Sequence, residues 1–260
     1  SLPKVGDGRR MKQAGLSLKF RILVVRRDNI GDLVCTTPAI AALRQHYPEA
    51  EIAALVNSYN AEVLYGNPNL DHIFVYQKLK HAGGIGSRFR AAIQRIRLIG
   101  KLRRWKPDVA ILARASYERY GLKFARQIRA KEIIGYAPDS HAQAKGLPDI
   151  CLKSPGSNLQ HEVEAVNALL KPLGIEDALG PLEVFPDGQL VAQLALRLPM
   201  APKRVAVHIS AREPQRRWGN QNFIALTKHI LESRPDTQIL LFWAPGKADD
   251  PHHPGDDEAA

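Results

Sequence analysis

The sequence predicts an α/β protein with two doubly wound units, the second of them incomplete. Short apolar runs, typical of buried parallel strands, alternate with segments of helical periodicity, and this alternation is the pattern of successive β–α–β units. A stretch rich in proline and glycine, residues 181–203, is the predicted linker between a longer first domain, residues 20–180, and a shorter second one, residues 204–260. A chain of 260 residues is long enough for two small domains.

The first domain is predicted to hold five strands joined by helices. Its predicted strands are residues 21–25, 51–56, 72–76, 109–112 and 132–134. Its predicted helices are residues 32–46, 60–65, 88–104, 117–129 and 161–173. Gly174 supplies a C-cap for the last of these helices. Residues 138–160 contain proline, glycine and serine with little periodicity, so we expect a long loop there.

The second domain repeats the pattern over a shorter length. Its predicted elements are strand 205–209, a basic loop at 210–219, helix 220–233 and strand 238–243. Two strands cannot bury both faces of a sheet, so we expect this domain to be completed by sequence beyond Ala260. At the other end of the chain, residues 1–19 are expected to form a disordered leader.

The composition favours an anionic partner. The formal net charge is +11 and the isoelectric point is about 9.8, which suits nucleic acid, an acidic membrane surface or a phosphorylated substrate. Between Gln77 and Pro107 there are ten lysines and arginines and no acidic residue. Two interpretations of this segment stay open, a solvated helix face and a docking surface for something anionic.

Other classes of protein are disfavoured. The two cysteines, Cys35 and Cys151, match neither a disulfide framework nor a zinc pattern, and a reduced cytoplasmic setting fits them best. No apolar run reaches the roughly 18 residues needed to span a bilayer. His252 and His253 lie near several carboxylates but lack a spacing that would hold them on one face, so no metal site is predicted.

The strongest chemical signal lies in residues 21–44, where a strand is followed by a turn at Gly31 and a helix that opens at Asp32. Gly31 lets the backbone turn tightly or approach a ligand closely. Ligands of open α/β sheets bind at the carboxyl ends of the strands, so the Asp32 carboxylate is placed to accept a proton from a substrate hydroxyl. Capping the helix is an equally good interpretation of Asp32 from the residues alone.

A second signal, residues 205–223, joins a strand, a basic loop and a helix start. The free N–H groups and the dipole of a helix N-terminus suit a phosphate group. Arg212, Arg216 and Arg217 add charge-assisted donors. The Ser210 hydroxyl can donate to a phosphate, or it can form a local turn bond.

The first of these motifs resembles glycosyltransferase family 9, best known for the lipopolysaccharide heptosyltransferases. That family opens with a strand, then Ile-Gly-Asp, then an apolar-Thr-Thr-Pro-Ala helix start and a Pro-x-Ala-x-Ile approach to the second strand, all of which occur here between residues 21 and 52. The second motif is similar to the family's donor-phosphate loop, with Arg216 at its lysine position and Gly219 at its proline position. Residues 240–258 resemble the loop that follows the next strand in the family and lies near the nucleotide.

The resemblance implies a GT-B-type architecture, with an acceptor domain followed by a nucleotide-sugar-binding domain. It implies that Asp32 is the general base and that Ser210, Arg212, Arg216 and Arg217 contact the donor phosphates. The acceptor contacts expected with it are Gly31, Thr36, Thr37, Arg88 and Arg90. The family's Asp-Thr-Gly…His segment would lie beyond residue 260.

The activity implied by the resemblance is inverting transfer of a heptose from a nucleotide-diphosphate sugar, ADP-heptose, to the lipopolysaccharide core. It needs no metal and no cofactor, and the anionic acceptor would bring the cytoplasmic protein to the inner face of the inner membrane. Two alternatives remain open: a non-catalytic relative that binds a nucleotide sugar, or an inactive truncated fragment. A nucleic-acid-binding protein is a weaker alternative, because the sequence has no recognised nucleic-acid motif and no aromatic-rich stacking surface.

Overall fold

The fold divides into two compact units, with the boundary between Asp187 and Gly188. The computed structural model describes residues 19–77, 85–139, 146–154, 161–176, 180–198, 200–211, 213–247, 255–258 and 260. The first unit is built on a six-stranded sheet and the second on a two-stranded sheet. Both sheets are parallel, as the alternation of strands and helices predicts.

The six-stranded sheet reverses its winding direction in the middle. Its strands are β1 (Arg21–Val25), β2 (Glu51–Asn57), β3 (His72–Tyr76), β4 (Val109–Leu112), β5 (Glu132–Tyr136) and β6 (Ile150–Leu152). Their order across the sheet is β3-β2-β1-β4-β5-β6. The chain winds outward from β1 in one direction and then returns to β4 and winds in the other. The carboxyl ends of β1 and β4 therefore form the switch point at which doubly wound sheets bind their ligands.

Helices cover both faces of this sheet. They are α1 (Ile30–Val34), α2 (Thr37–His46), α3 (Ile85–Trp105), α4 (Arg119–Gln127) and α5 (Glu162–Ala168), with short 3₁₀ turns at Ala61–Leu64 and Lys171–Leu173. Successive residues of β1 point to opposite faces. Ile22 and Val24 join one core cluster with residues of α2 and α5, and Leu23 and Val25 join a second with residues of α3 and α4.

The predicted helix at 32–46 is in fact two helices. α1 ends at Val34 and α2 begins at Thr37, with Pro38 in its first turn. Pro38 has no N–H, so it cannot donate to the carbonyl of Val34 four residues earlier, and a continuous helix would lose that bond. The Thr37 hydroxyl donates to the Val34 carbonyl instead, at 2.8 Å.

The structure departs from the sequence prediction at two further places in the first unit. β6 lies within the predicted loop 138–160, and its three residues are too few to show a strand period. The predicted helix 161–173 is instead α5, which ends at Ala168, followed by the separate turn Lys171–Leu173. Gly174, with a left-handed φ of 81°, ends that turn and not the helix that the sequence predicts.

The second unit has the predicted β–α–β order. Its elements are α6 (Gly188–Arg197), β7 (Lys203–His208), α7 (Asn220–Ser233) and β8 (Thr237–Phe242). The register of the two strands runs from Lys203 opposite Thr237 to His208 opposite Phe242. α6 lies inside the segment predicted to be a linker; Gly188 is its first residue, and the prolines of the segment lie on either side of the helix. Across the described residues, no helix combines the length and the apolar character needed to cross a bilayer.

Candidate active site

A polar cleft of about 370 Å³ opens at the carboxyl ends of β1 and β4. Its lining comes from the segment after β1, the segment after β4 and the first turn of α5. The lining residues are Arg26, Arg27, Asp28, Asn29, Asp32, Arg114, Ala115, Ser116 and Glu162. The fold therefore places the strongest sequence motif at the switch point of the first unit.

Asp32 both caps its helix and faces the cleft. It is the third residue of α1, and its Oδ2 accepts a hydrogen bond of 3.1 Å from the backbone N–H of Asn29, the N-cap. Its Oδ1 lies 3.5 Å from Nη2 of Arg26. The side chain is 36% exposed, so a ligand in the cleft can reach the carboxylate while the cap stays in place.

Arg26 is a buried cation at the floor of the cleft, and only 2% of its side chain is exposed. Nη1 lies 2.8 Å from Oε1 of Glu162 and also donates to the carbonyl of Ala113, the residue after β4. Nη2 lies 3.2 Å from Oδ2 of Asp28, in addition to its contact with Asp32. The sequence offers one signal for this residue, an arginine placed directly after a buried apolar strand.

Two buried asparagines hold the segment after β1 in place through side-chain hydrogen bonds to its backbone carbonyls. The side-chain amide of Asn57 donates to the carbonyls of Arg27 and Asp28, at 3.1 and 3.0 Å. The Asn60 amide donates to the same Asp28 carbonyl at 3.1 Å. The backbone that carries the cleft residues is therefore held to the end of β2.

Asp28 lies deeper in the cleft than Asp32. Burial raises the pKa of the Asp28 carboxyl, and the cations Arg26 and Arg114 act against that increase. The carboxylates of Glu118 and Asp32 act in the same direction as burial, because like charges disfavour ionisation.

A second wall of the cleft is organised by Glu118, which is nearly buried at the start of α4. Its carboxylate accepts hydrogen bonds from the N–H groups of Tyr120 and Gly121 and so caps that helix. It also pairs with Arg114 at 3.0 Å and with Arg27 at 3.4 Å. One carboxylate thus orients two guanidinium groups that line the cleft.

Comparison with known proteins identifies the fold. Over 88% of this chain, the structure resembles a glycosyl transferase family 9 protein from Veillonella parvula, with a TM-score of 0.68 and 19% identity. Over 93% of this chain it resembles E. coli heptosyltransferase WaaC with ADP-2-deoxy-2-fluoro heptose, with a TM-score of 0.65 and 17% identity. The chain has the GT-B-type fold of the family 9 glycosyltransferases.

The chain spans less than the full length of these relatives. It covers 64% of the Veillonella parvula structure and 72% of the WaaC structure. A segment of 58 residues is 38% identical to a Haemophilus influenzae protein named "Putative glycosyltransferase", which is 22% of this chain and 17% of that protein. No family model matches the sequence.

Within this family 9 fold, the predicted acceptor residues have different surroundings. Thr36 and Thr37 are fully buried, their hydroxyls donate to the carbonyls of Asp32 and Val34, and neither residue lines the cleft described above. Gly31 lies inside α1 without a positive φ, so it makes no tight turn, although open space surrounds the position a Cβ would take. Arg90 is exposed on α3, and the Arg88 side chain lies outside the described residues.

The predicted donor residues belong to the second unit. Ser210 Oγ accepts a hydrogen bond of 2.7 Å from the N–H of Ala244, so it ties the ends of β7 and β8 together at their carboxyl edge. Arg217 donates to the Ala211 carbonyl and lies 3.3 Å from Asp256. Arg216 is exposed and paired with Glu213 at 3.0 Å.

Some predicted features cannot be placed. Arg212, His252 and His253 lie outside the described residues. Within the part of the chain that is described, no group of three or more His, Cys, Asp or Glu side chains is arranged to hold a metal ion.

Proposed function

We propose that the protein is an inverting glycosyltransferase that moves a heptose, or a related sugar, from a nucleotide-diphosphate donor to a lipopolysaccharide core acceptor. The observation that carries the proposal is the position of Asp32, a partly exposed carboxylate in a polar cleft at the switch point of a family 9 fold. A heptosyltransferase of the same fold was solved with an ADP-heptose analogue, which supports ADP-heptose as the donor.

In the proposed reaction, Asp32 accepts the proton of an acceptor hydroxyl. The hydroxyl oxygen attacks the anomeric carbon of the donor sugar while the bond from that carbon to the diphosphate oxygen breaks. The attack comes from the face opposite the leaving group, which inverts the anomeric centre. The nucleoside diphosphate leaves, and the proton on Asp32 passes to solvent.

The character of the cleft supports a sugar as the acceptor. The lining is nearly all polar and contains carboxylates and guanidinium groups, which accept from and donate to hydroxyl groups respectively. The donor diphosphate is assigned to Ser210, Arg212, Arg216 and Arg217 around the start of α7. Fixed positive charge near a leaving diphosphate stabilises the charge that develops there.

The test is Asp32→Asn in the full-length protein, measured by release of nucleoside diphosphate from ADP-heptose. The amide oxygen can still accept the hydrogen bond from Asn29 and preserve the cap, whereas the base is lost. We expect kcat to fall about 10²- to 10⁴-fold. Asp108→Asn is the matched control, because Asp108 pairs with Lys131 and with the Arg21 N–H at the opposite end of the sheet.

Two results would contradict the proposal. Near-normal turnover of Asp32→Asn would show that Asp32 is not the base. Binding of ADP-heptose by calorimetry without any product from the wild-type protein would favour the non-catalytic alternative.

We also propose that α3 brings the protein to the cytoplasmic face of the inner membrane. Its exposed cations, Arg90, Arg97, Lys101 and Arg104, would contact anionic headgroups near the acceptor. In this proposal the protein is a peripheral membrane protein.

A further inference from the structure

The Arg26 guanidinium joins four separate parts of the first unit at the floor of the cleft. It contacts Asp28 on the segment after β1, Asp32 on α1, the carbonyl of Ala113 after β4 and Glu162 at the start of α5. Because the side chain is 2% exposed, these groups take the place of water around Nη1 and Nη2.

The two ends of the guanidinium have different neighbours. Nη1 faces Glu162, at 2.8 Å, and the carbonyl of Ala113. These contacts fix the plane of the group, since a guanidinium is a rigid fork of donors. Nη2 is thereby directed at Asp28 and Asp32, at 3.2 and 3.5 Å. The orientation toward Asp32 is therefore set by residues that lie far from it in the sequence.

The charges around Arg26 need a cation at this point. Three carboxylates, those of Asp28, Asp32 and Glu162, lie within 3.5 Å of its two terminal nitrogens. Without the guanidinium, these three like charges would repel one another, and the Asp32 side chain would lose the contact that orients it. Arg114 lies 3.7 Å from Asp28, but its side chain is 44% exposed, so solvent screens its charge more strongly.

We propose that Arg26 is the positioning residue of the active site, which acts through Asp32 by holding its carboxylate directed into the cleft. This inference rests on the proposed function, since Asp32 must be the base for its position to matter. Glu162 and the Ala113 carbonyl hold Arg26 in turn, so α5 takes part in the site without contacting the substrate.

The test is a double-mutant cycle of Arg26→Met and Asp32→Asn in the full-length protein. Methionine keeps much of the apolar stem and removes the charge. We expect Arg26→Met to lower kcat roughly 10- to 100-fold with little change in KM. A fold-change of this size corresponds to the interaction energies that double-mutant cycles find for residues in direct contact. In the Asp32→Asn background the same change should lower kcat less than twofold. An equal loss in both backgrounds would overturn the proposal, because Arg26 would then act independently of Asp32.

Two further variants serve as controls for an effect of the substitution on folding. Arg21→Met removes a partly buried arginine at the opposite end of β1, where Arg21 pairs with Glu51 at 2.9 Å, and it should lower the unfolding temperature and leave kcat unchanged. Arg26→Lys keeps the charge and loses the fork, and it should recover part of the kcat lost in Arg26→Met. If Arg26→Met fails to fold, the cycle is run with Arg26→Lys, and a loss of kcat of equal size in both backgrounds again overturns the proposal.

The cycle also separates this inference from the proposed function. If Asp32→Asn alone keeps normal turnover, the base assignment fails whatever Arg26 does, and the positioning role falls with it. If Asp32→Asn is nearly inactive and Arg26→Met has wild-type kcat, the proposed function stands and the positioning role is wrong.

Discussion

The hydroxyl of Thr37 links two segments of the first unit. It donates to the Val34 carbonyl at 2.8 Å, and it accepts a hydrogen bond of 2.9 Å from the N–H of Glu183. The side chain is fully buried, so water cannot replace either partner. One oxygen atom therefore joins the break between α1 and α2 to the segment that carries Glu183.

We predict that Thr37→Val, a nearly isosteric change, lowers the free energy of unfolding by about 1–3 kcal/mol, because it leaves the partly buried Val34 carbonyl and Glu183 N–H without this hydrogen-bond partner. The value of kcat should stay within twofold of wild type, since Thr37 does not reach the cleft. Urea unfolding followed by circular dichroism measures the first quantity.

Thr227→Val is the matched control for this prediction. The Thr227 hydroxyl donates to the Phe223 carbonyl within α7, and that carbonyl is also placed to accept the ordinary backbone bond of the helix. Thr227→Val should lower the free energy of unfolding far less than Thr37→Val does. If the two variants lower it equally, the two hydrogen bonds of Thr37 do not account for the loss of stability.

Individual site residues differ in how far the sequence could reveal them. Asp32 was found because its motif is local, a strand followed by a helix start. Arg26 and Glu162 were missed, because they meet only when α5 packs beside the end of β1. Thr37 was predicted to bind the acceptor, since spacing along the chain does not tell whether a hydroxyl faces a cleft or the interior.

At the level of elements, Glu51 ties together the amino end of the sheet. Its carboxylate, at the start of β2, accepts hydrogen bonds from Arg21 of β1, at 2.9 Å, and from the Trp105 indole at the end of α3, at 2.7 Å. It also lies 2.7 Å from Nε2 of His72 at the start of β3. Partial burial acts to raise the pKa of Glu51, but these hydrogen bonds outweigh it and lower the pKa to about 2.

We predict that Glu51→Gln destabilises the first unit by about 1.5–3 kcal/mol at neutral pH, the range for hydrogen bonds to a charged group. The pKa of Glu51 in the folded protein, about 2, is below its ordinary value of 4.5. The contribution of the Glu51 carboxylate to the free energy of unfolding is therefore fully present above pH 4.5 and is lost as the pH falls toward 2. Chemical unfolding at several pH values should show a shallower loss of stability in the variant over that window.

Glu49→Gln is the control for the pH dependence, because Glu49 is an exposed carboxylate two residues earlier in the chain. It should change neither the stability at neutral pH nor the slope of stability against pH. A variant of Glu51 with the wild-type slope would mean that another group dominates the acid transition.

Helices and strands could be predicted where the hydrophobic periodicity is strong. The prediction failed where the periodicity is weak. The five longer strands of the first unit were predicted because each is a compact apolar run. β6 was missed because three residues show no period, and α6 was missed because the prolines and glycines beside it suggested a linker. The division of one predicted helix into α1 and α2 follows from Pro38, whose position in the first turn of a helix is as common as its role in ending one.

At the scale of the whole molecule, the excess of positive charge has a defined location on α3. The inner side of this helix packs on the sheet through residues such as Leu98 and Leu102. Its outer side carries exposed cations, and Phe89 and Ile96, one above the other two turns apart, are each 69% exposed. This combination of exposed cations and exposed apolar side chains is the basis of the docking role proposed for α3.

We predict that the protein sediments with vesicles containing phosphatidylglycerol and not with vesicles of phosphatidylcholine alone. The double variant Arg90→Glu and Arg97→Glu should weaken binding at least tenfold, because each cation near an anionic surface contributes about 1 kcal/mol. Raising the salt concentration should weaken wild-type binding in the same direction, since the interaction is screened.

The control for this prediction changes the net charge equally at another surface. Lys171→Glu with Lys228→Glu alters two exposed lysines outside α3, so it should reduce vesicle binding much less than the α3 variant does. Phe89→Ser should chiefly remove the binding that persists at high salt, because insertion of an apolar ring is not screened by ions. If the two charge variants weaken binding equally, the vesicles sense the net charge of the molecule, and α3 is a solvated surface after all.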